Sequence, residues 1–335
     1  MKIYYIGSFP PVYGGVTIKN KNLYEGLSGK IDVHKIDMNR IKKVDIREIV
    51  RFGWALFTGK QYIIGLAGQK NRRQFTNFMY RFKRRAMSRS VMMVMGGVVE
   101  DMIGAGPEFL KKLGTYRRVF LEYAGMACKL ENAGVSNAEV YPNGRPRPQK
   151  LEPIRSDAGP LRCVFFSQIE ADKGVDRILE AAMLLPDVQF DFYGRIVSSY
   201  EMEFEKALLV CPNVRYHGVF GGDSLEVYRE LNQYDVLLLP TRCKTEGLPG
   251  ILIEAKIAGI PAVISGINYT GETVTHGVDG MILQEDTVEC LKNTLCTLAE
   301  DRELLLRLKE ASRISAEQYY IDICASKVIR DLERG

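Results

Sequence analysis

The sequence predicts an α/β protein built from two doubly wound parallel-sheet domains. Three observations point there. The chain has 335 residues, where roughly 100 to 200 residues make one domain. Short apolar runs alternate with helical stretches in two separate series, the pattern of parallel sheets covered on both faces. Between the two series, Arg145 to Pro160 carries Pro146, Pro148, Pro153 and Pro160 without an apolar period, the composition of a linker. The expected boundary lies near 158, giving domains of 1–158 and 159–320.

The first series opens with a strand, Lys2 to Ile6, then the loop Gly7 to Gly15, then a helix from about Val16 to Leu27. Val33 to Ile36 reads as the second strand, 40 to 58 as a helix, and Tyr62 to Leu66 as the third strand. A basic helix, about Arg72 to Ser88, leads into the apolar strand Val91 to Met95, which Gly96-Gly97 ends. A helix near 107–113, a strand at 118–122, a helix at 124–133 and a strand at 138–141 complete the domain.

The second series has strands at 161–167, 188–194, 214–217, 235–239, 261–265 and 281–283. Helices are expected at 174–184, 200–209, 222–233, 248–258 and near 271–276, with closing helices at 286–299 and 301–320. A last helix, about 321–333, is expected to pack back on the first domain. In open parallel sheets ligands bind at the carboxyl ends of the strands. The cleft between the two domains is the expected site.

Composition is that of an ordinary globular protein, 46% hydrophobic and 26% charged. The uncharged run Ile257 to Gly271 is broken by Gly and Pro and is too short for the roughly 18 apolar residues of a spanning helix. Lys2 passes at once into a strand pattern with no apolar signal region, so the expected location is cytoplasmic. Seven scattered cysteines with no C-x-x-C pair read as reduced core fillers, and three separated histidines offer little for a metal centre.

The net charge of +5 conceals an asymmetry. Residues 31–90 hold fifteen Lys or Arg against four Asp or Glu, a local balance of +11. Clustered positive charge attracts anions and anionic surfaces. Arg72 to Met87 places Phe75, Phe78, Met79, Phe82 and Ala86 at helical spacing with the cations largely elsewhere. Such a helix either lies on an anionic bilayer or packs on its own sheet with a solvated basic face. No standard nucleic-acid recognition motif accompanies the charge, so nucleic acid is not an expected partner.

The chemistry concentrates in Asp235 to Ile264. A buried strand ends at Pro240, a polar loop follows, and a helix starts around Leu248 to Pro249 and stops at Gly259. This delivers backbone N–H groups of Gly247, Leu248 and their neighbours at a helix N-terminus, an anion site. Glu246 and Glu254 bracket it, about 12 Å apart at most on a helix rising 1.5 Å per residue. That separation is too long for a paired acid and base but suits two contacts on one extended ligand. The same spacing also fits an ordinary first-turn acid and a solvated face residue.

The Glu246-x7-Glu254 unit, followed by Gly259-x-Pro261-x-Val263 and by Gly271-Glu272-x-Val274-x-x-Gly277-x-x-Gly280, resembles the donor-site signature of the retaining nucleotide-sugar glycosyltransferases of family 4, group 1 enzymes with the GT-B fold. Further blocks match in order: Pro10-x-x-x-Gly14-Gly15, Tyr141-Pro142-Asn143-Gly144, Lys173-Gly174, Val214-x-Tyr216-x-Gly218 and Asp235 to Pro240. The resemblance is dense from about 161 to 283.

The resemblance implies two Rossmann-like parallel-sheet domains facing each other across a cleft, the second binding a nucleotide sugar. Glu254 would hold the donor ribose hydroxyls and Glu246 would face the transferred sugar. The backbone from Thr245 through Gly247, Leu248 and Pro249 would follow the diphosphate and sugar. Lys173 corresponds to the cation that neutralises the leaving diphosphate. The family usually has Arg where this chain has Gln168, and Arg195 after Gly194, Arg242 or Lys244 could replace its charge. Gly14 and Gly15 would approach the donor phosphates, Gly96 and Gly97 would shape the acceptor side, and His217 would border the base pocket. The absence of a strand-end Asp-x-Asp agrees with transfer that needs no metal and no other cofactor. The implied acceptor is a glycan or lipid-diphosphate-linked hydroxyl, reached by peripheral membrane contact through the basic 31–90 segment. Two other readings stay open. A catalytically weak scaffold subunit is favoured by Gln168 alone. A nucleotide-sugar 2-epimerase of related architecture would need further acidic and His residues around the donor.

Overall fold

A computed structural model describes residues 2–11, 14–96, 99–156 and 159–334. Its strands are β1 (Ile3–Gly7), β2 (Val33–Asp37), β3 (Tyr62–Gly65), β4 (Val91–Met93), β5 (Arg118–Leu121), β6 (Ala138–Val140), β7 (Arg162–Phe166), β8 (Gln189–Tyr193), β9 (Val214–Tyr216), β10 (Val236–Leu239), β11 (Ala262–Ile264) and β12 (Gly280–Ile282). They form two six-stranded sheets, ordered β2-β1-β3-β4-β5-β6 and β12-β11-β10-β7-β8-β9. Every pairing within them is parallel.

The helices are α1 (Gly15–Leu27), α2 (Met38–Lys42), α3 (Ile46–Thr58), α4 (Gln69–Phe82), α5 (Arg84–Met87), α6 (Val99–Ile103), α7 (Pro107–Leu113), α8 (Ala124–Asn132), α9 (Val175–Leu184), α10 (Glu201–Val210), α11 (Ser224–Leu231), α12 (Gly250–Ala258), α13 (Val288–Glu300), α14 (Arg302–Ser315) and α15 (Ile321–Glu333). Among the described residues, no helix is long and apolar enough to cross a membrane.

The chain divides into two compact units. The first comprises Met1–Arg147, Thr245–Leu248 and Gln318–Gly335, the second Pro148–Lys244 and Pro249–Glu317. The division falls at Arg147/Pro148, ahead of the expected boundary near 158, where Asp157 and Ala158 lie outside the described residues. The reason is that the proline-rich segment packs on the second unit. Asn232 Nδ2 donates to Pro153 O at 3.1 Å, Arg313 Nη1 to Glu152 O at 2.7 Å, and Lys309 Nζ to Arg155 O at 2.9 Å.

In the first unit, Tyr5, Phe9, Leu23, Leu27 and Phe120 share a core with Cys324, Ala325, Val328 and Leu332 of α15. Two polar ties fix that helix. Arg118 Nε and Nη2 each reach a carboxylate oxygen of Asp331 at 3.1 Å, and Gln61 Nε2 donates to Leu332 O at 2.7 Å. The second unit buries Val164, Phe165, Phe190, Phe192, Leu237, Leu238 and Val263 between α9, α12 and α13. Helix α12 is apolar nearly all round, as a helix enclosed by protein must be.

Several helical expectations need correction. The segment 40–58 is two helices, because Val44 takes a left-handed φ of 59° and the Asp45 carboxylate then caps α3 at Glu48 N. The basic helix breaks at Lys83 into α4 and α5. Its aromatic face is turned inward: Met79 and Ala86 are buried, Phe75 and Phe78 half-buried, and only Phe82 is exposed. Near 271–276 there is only a 3₁₀ turn, Thr270–Thr273, and α6 was not anticipated.

Candidate active site

In the second unit the carboxyl ends of β7, β8 and β10 are drawn together by two glycines. Gly174 has φ +78°, and a Cβ there would lie 2.1 Å from Pro240 O. Gly194 has φ +142°, and a Cβ would lie 1.7 Å from Ser167 O. No other residue fits either place. The first is an approach of the α9 N-cap to the end of β10, and the second joins the ends of β8 and β7.

Lys173 closes the 3₁₀ turn Ala171–Lys173 directly before Gly174. The residues after β10 hold this turn. Arg242 N donates to Asp172 O at 2.7 Å, Thr241 Oγ1 to Asp172 O at 3.2 Å, and Arg242 Nη2 to Ala171 O at 2.8 Å. The same Nη2 lies 2.6 Å from Asp176 Oδ2. Of the three cations considered as substitutes for the missing Arg, Arg242 is therefore committed to its own unit's scaffold. Lys244 and Arg195 are exposed, and Arg195 lies beside the exposed Gln168, where Ile169 N donates to Arg195 O at 3.0 Å.

His217 is exposed but tethered at the end of β9. Its Nε2 donates to the buried Asp191 carboxylate, and its ring stacks on Tyr193 at 4.7 Å and 14°. Tyr193 stacks in turn on Phe166 at 4.9 Å. Its hydroxyl, 2.6 Å from Glu230 Oε1, is pushed up to about 12, chiefly by burial. An aromatic ladder thus lines the ends of β7, β8 and β9.

Helix α12 begins at Gly250 with Pro249 as its N-cap, not at Leu248. The N–H groups at its N-terminus are accordingly those of Gly250 onward. Glu254 is the half-buried residue amid an otherwise buried stretch of this helix, while Lys256 on it is buried against Asp279 Oδ2 at 2.7 Å. Burial drives the Lys256 ammonium below its usual range.

The segment Thr245–Leu248, with Glu246, belongs to the first unit. Leu248 N–H is not available to a ligand, because it donates to Glu122 Oε2 at 3.1 Å. This removes Leu248 N–H from the expected anion site. Tyr123 Oη donates to Gly247 O at 3.2 Å, and Asn143 Nδ2 to Leu248 O at 3.1 Å. A Cβ on Gly247 would lie 2.6 Å from Glu122 Oε2 and 3.1 Å from Gly96 Cα, so glycine is required there by packing within this unit.

Glu122 is the centre of a charged cluster that sequence reasoning missed. It follows β5 directly and is 4% exposed. Lys19 Nζ pairs with its Oε1, while Gly96 N donates to its Oε2 at 3.1 Å. Arg72, also buried, donates to Gly96 O at 3.3 Å, and desolvation lowers its pKa against the opposing fields of Glu122 and Asp101. One signal was present in the sequence: a glutamate immediately after the apolar run Val119 to Leu121 sits where a parallel sheet meets its ligand.

Gly14 is the N-cap of α1, with its N–H bonded to Thr17 Oγ1 at 2.9 Å. A Cβ at Gly14 or Gly15 would meet no atom within 4 Å, so the structure gives neither a packing reason to be glycine. Gly96 has φ +70°. Gly97 lies outside the described residues. Among the described residues, no three His, Cys, Asp or Glu side chains converge as a metal site.

Two Rossmann-like parallel sheets define a GT-B architecture, and the solved structures agree. HepE of Anabaena in complex with UDP superposes with TM-score 0.73 at 14% identity, covering 100% of both chains. A sucrose-phosphate synthase from Thermosynechococcus elongatus gives TM-score 0.73 at 12% identity, covering 99% of this chain and 98% of that one. In sequence, a GDP-mannose-dependent α-(1-6)-phosphatidylinositol monomannoside mannosyltransferase of Mycobacterium tuberculosis is 26% identical over 251 residues, 70% of this chain and 63% of the relative. The N,N'-diacetylbacillosaminyl-diphospho-undecaprenol α-1,3-N-acetylgalactosaminyltransferase of Campylobacter jejuni is 24% identical over 234 residues, 68% of this chain and 57% of the relative. The chain spans less than two thirds of the length of each of these curated relatives. The sequence profile of the glycosyl transferases group 1 matches residues 147–315, just over half of the chain. The protein belongs to that family.

Proposed function

We propose that the protein is a retaining glycosyltransferase that moves a sugar from a nucleoside-diphosphate sugar to a hydroxyl of a glycan or lipid-diphosphate-linked acceptor. The observation that carries this reading is the β10–loop–α12 unit inside the matched region, with Glu246 in the loop and Glu254 half-buried on the helix. Glu254 accepts the donor ribose hydroxyls, and Glu246 faces the transferred sugar. Lys173, set on its braced turn, meets the diphosphate as negative charge builds on it. Preplaced positive charge of this kind lowers the barrier because it is worth more to the departing diphosphate than to the bound donor. The bond from the anomeric carbon to the diphosphate breaks, the acceptor hydroxyl oxygen bonds to that carbon on the same face, and its proton passes to the departing diphosphate oxygen, so configuration is retained without a protein nucleophile. Gly14 and Gly15, Gln168, Gly194, Arg195, Thr245, Gly247 and Pro249 complete the donor surroundings, and Gly96 the acceptor side.

The chemistry needs no metal in this reading, since protein cations do the neutralising. These two curated relatives carry lipid-linked substrates in their names, which supports a lipid-linked acceptor; in this reading the enzyme works at the inner face of a membrane. The test is incubation with a panel of UDP and GDP sugars and lipid-linked acceptors, with and without EDTA. Product with the donor's anomeric configuration, undiminished by EDTA and lost in Lys173→Ala, supports the proposal. An inverted product, or one that requires added metal, overturns it in that respect.

A further inference from the structure

Helix α3 is inside out. Its inward positions are Glu48, Phe52 and Ala55, with Glu48 accepting Asp37 N at 2.8 Å and Arg51 Nη1 at 2.9 Å. Its outward positions are Ile46, Ile49, Val50, Trp54 and Phe57, one continuous stripe at helical spacing. Ile46 is 73% exposed, Trp54 63% and Phe57 80%. A helix on a globular protein normally shows the reverse arrangement, and a contiguous exposed apolar stripe marks an interaction surface. Polar bonds on the inner side hold the helix, so the stripe is not needed for folding.

The stripe runs into a basic hollow. Lys83 Nζ donates to Phe57 O at 3.0 Å, which joins the carboxyl end of α3 to the α4–α5 break. There an open cavity of about 550 Å³ is lined by Lys60, Arg81, Lys83, Arg84, Arg85 and Arg89, with the exposed Phe82 among them. None of these six cations forms an ion pair among the described residues. Arg81 lies over the Phe82 ring and Arg84 over the Tyr80 ring, at 5.5 and 4.7 Å from the ring centres. Six cations without counter-ions, next to exposed Trp and Phe, complement a surface that offers phosphate at one depth and hydrocarbon just below it. An acidic protein groove would answer the charge but not so long an apolar stripe.

We propose that α3, with the α4–α5 hollow, is the membrane-docking element of this protein: the Ile46–Phe57 stripe enters the interface of an anionic bilayer while the hollow receives lipid phosphates. This locates the membrane contact invoked above, and rests on that reading, within the 31–90 segment, with the apolar anchor on α3.

The test is flotation of the full chain with phosphatidylcholine vesicles, with and without phosphatidylglycerol, alongside a nucleotide thermal-shift assay and solution mass. The wild type is expected to float only with the anionic vesicles and to be released by high salt. Trp54→Ser/Phe57→Ser and Arg84→Ala/Arg85→Ala should each reduce binding by about tenfold while leaving melting and the nucleotide response unchanged. Indifference to anionic lipid, or unchanged flotation of the Trp54/Phe57 variant, overturns the proposal. So does a dimer that this variant dissolves, which would make a second copy the occupant. Flotation that persists in a protein showing no nucleotide response would leave the docking surface standing and remove the transferase reading instead.

Discussion

The two sheets end differently. At the strand ends of the first, charge is sealed in: Glu122 and Lys19 are buried as a pair, and buried Arg72 donates through its Nη atoms to Gly96 O while its Nε has no partner. At the strand ends of the second, Lys173 and Glu254 are half-buried and are carried on elements braced by other residues. Buried charge costs desolvation and is stable only when paired. The first arrangement holds a shape, and the second is where the proposed donor site lies.

That contrast predicts different failures. Glu122→Ala leaves the Lys19 ammonium buried without its partner, so it should cost about 3–5 kcal/mol of stability in urea denaturation. A cost below about 1 kcal/mol would mean that water reaches the cluster. Lys173→Ala should do the opposite. It should lower kcat by about 10²–10³, roughly 2.7–4 kcal/mol, with little change in melting, as seen by comparing rates and thermal unfolding in one preparation.

Gly174→Ala probes the scaffold of the second site. Its positive φ and the approach to Pro240 O should cost about 2 kcal/mol, read as a lowered denaturation midpoint. Arg242→Ala should be milder, about 1 kcal/mol, because the Asp176 pair is partly exposed. It should still weaken nucleotide binding by loosening the Lys173 turn, with partial recovery in Arg242→Lys.

A separate effect appears only at alkaline pH. Burial raises Tyr62, Tyr193 and Tyr200 from 10.0 to about 12 and Cys324 from 9.0 to about 12. A raised folded pKa means the unfolded chain loses its proton first, so stability is full below pH 9 and declines as pH rises from 9 to 12. Urea midpoints across that range check the sign.

The sheets were legible in the sequence because strands buried on both faces are near-continuous apolar runs. The β10–α12 unit was legible because a strand, a polar loop and a glycine-stopped helix each leave a local mark. What escaped depends on partners far along the chain. Glu122 gives no local sign that Leu248 N–H and Lys19 converge on it. Val44 breaks a helix in a conformation that β-branched residues avoid, so propensity argued for one helix where there are two. Helices 46–58 and 69–82 both look amphipathic in sequence, and only packing reveals that the first turns its apolar side outward and the second largely inward.

The central claim is that the second unit's half-buried charges form a donor site. Titration of UDP and of GDP into the wild type, Glu254→Ala and Lys173→Ala by calorimetry tests it most directly. Saturable binding of one nucleotide, abolished by Glu254→Ala and weakened by Lys173→Ala, is the predicted result. Binding of neither nucleotide, or binding that both variants leave unchanged, would contradict it.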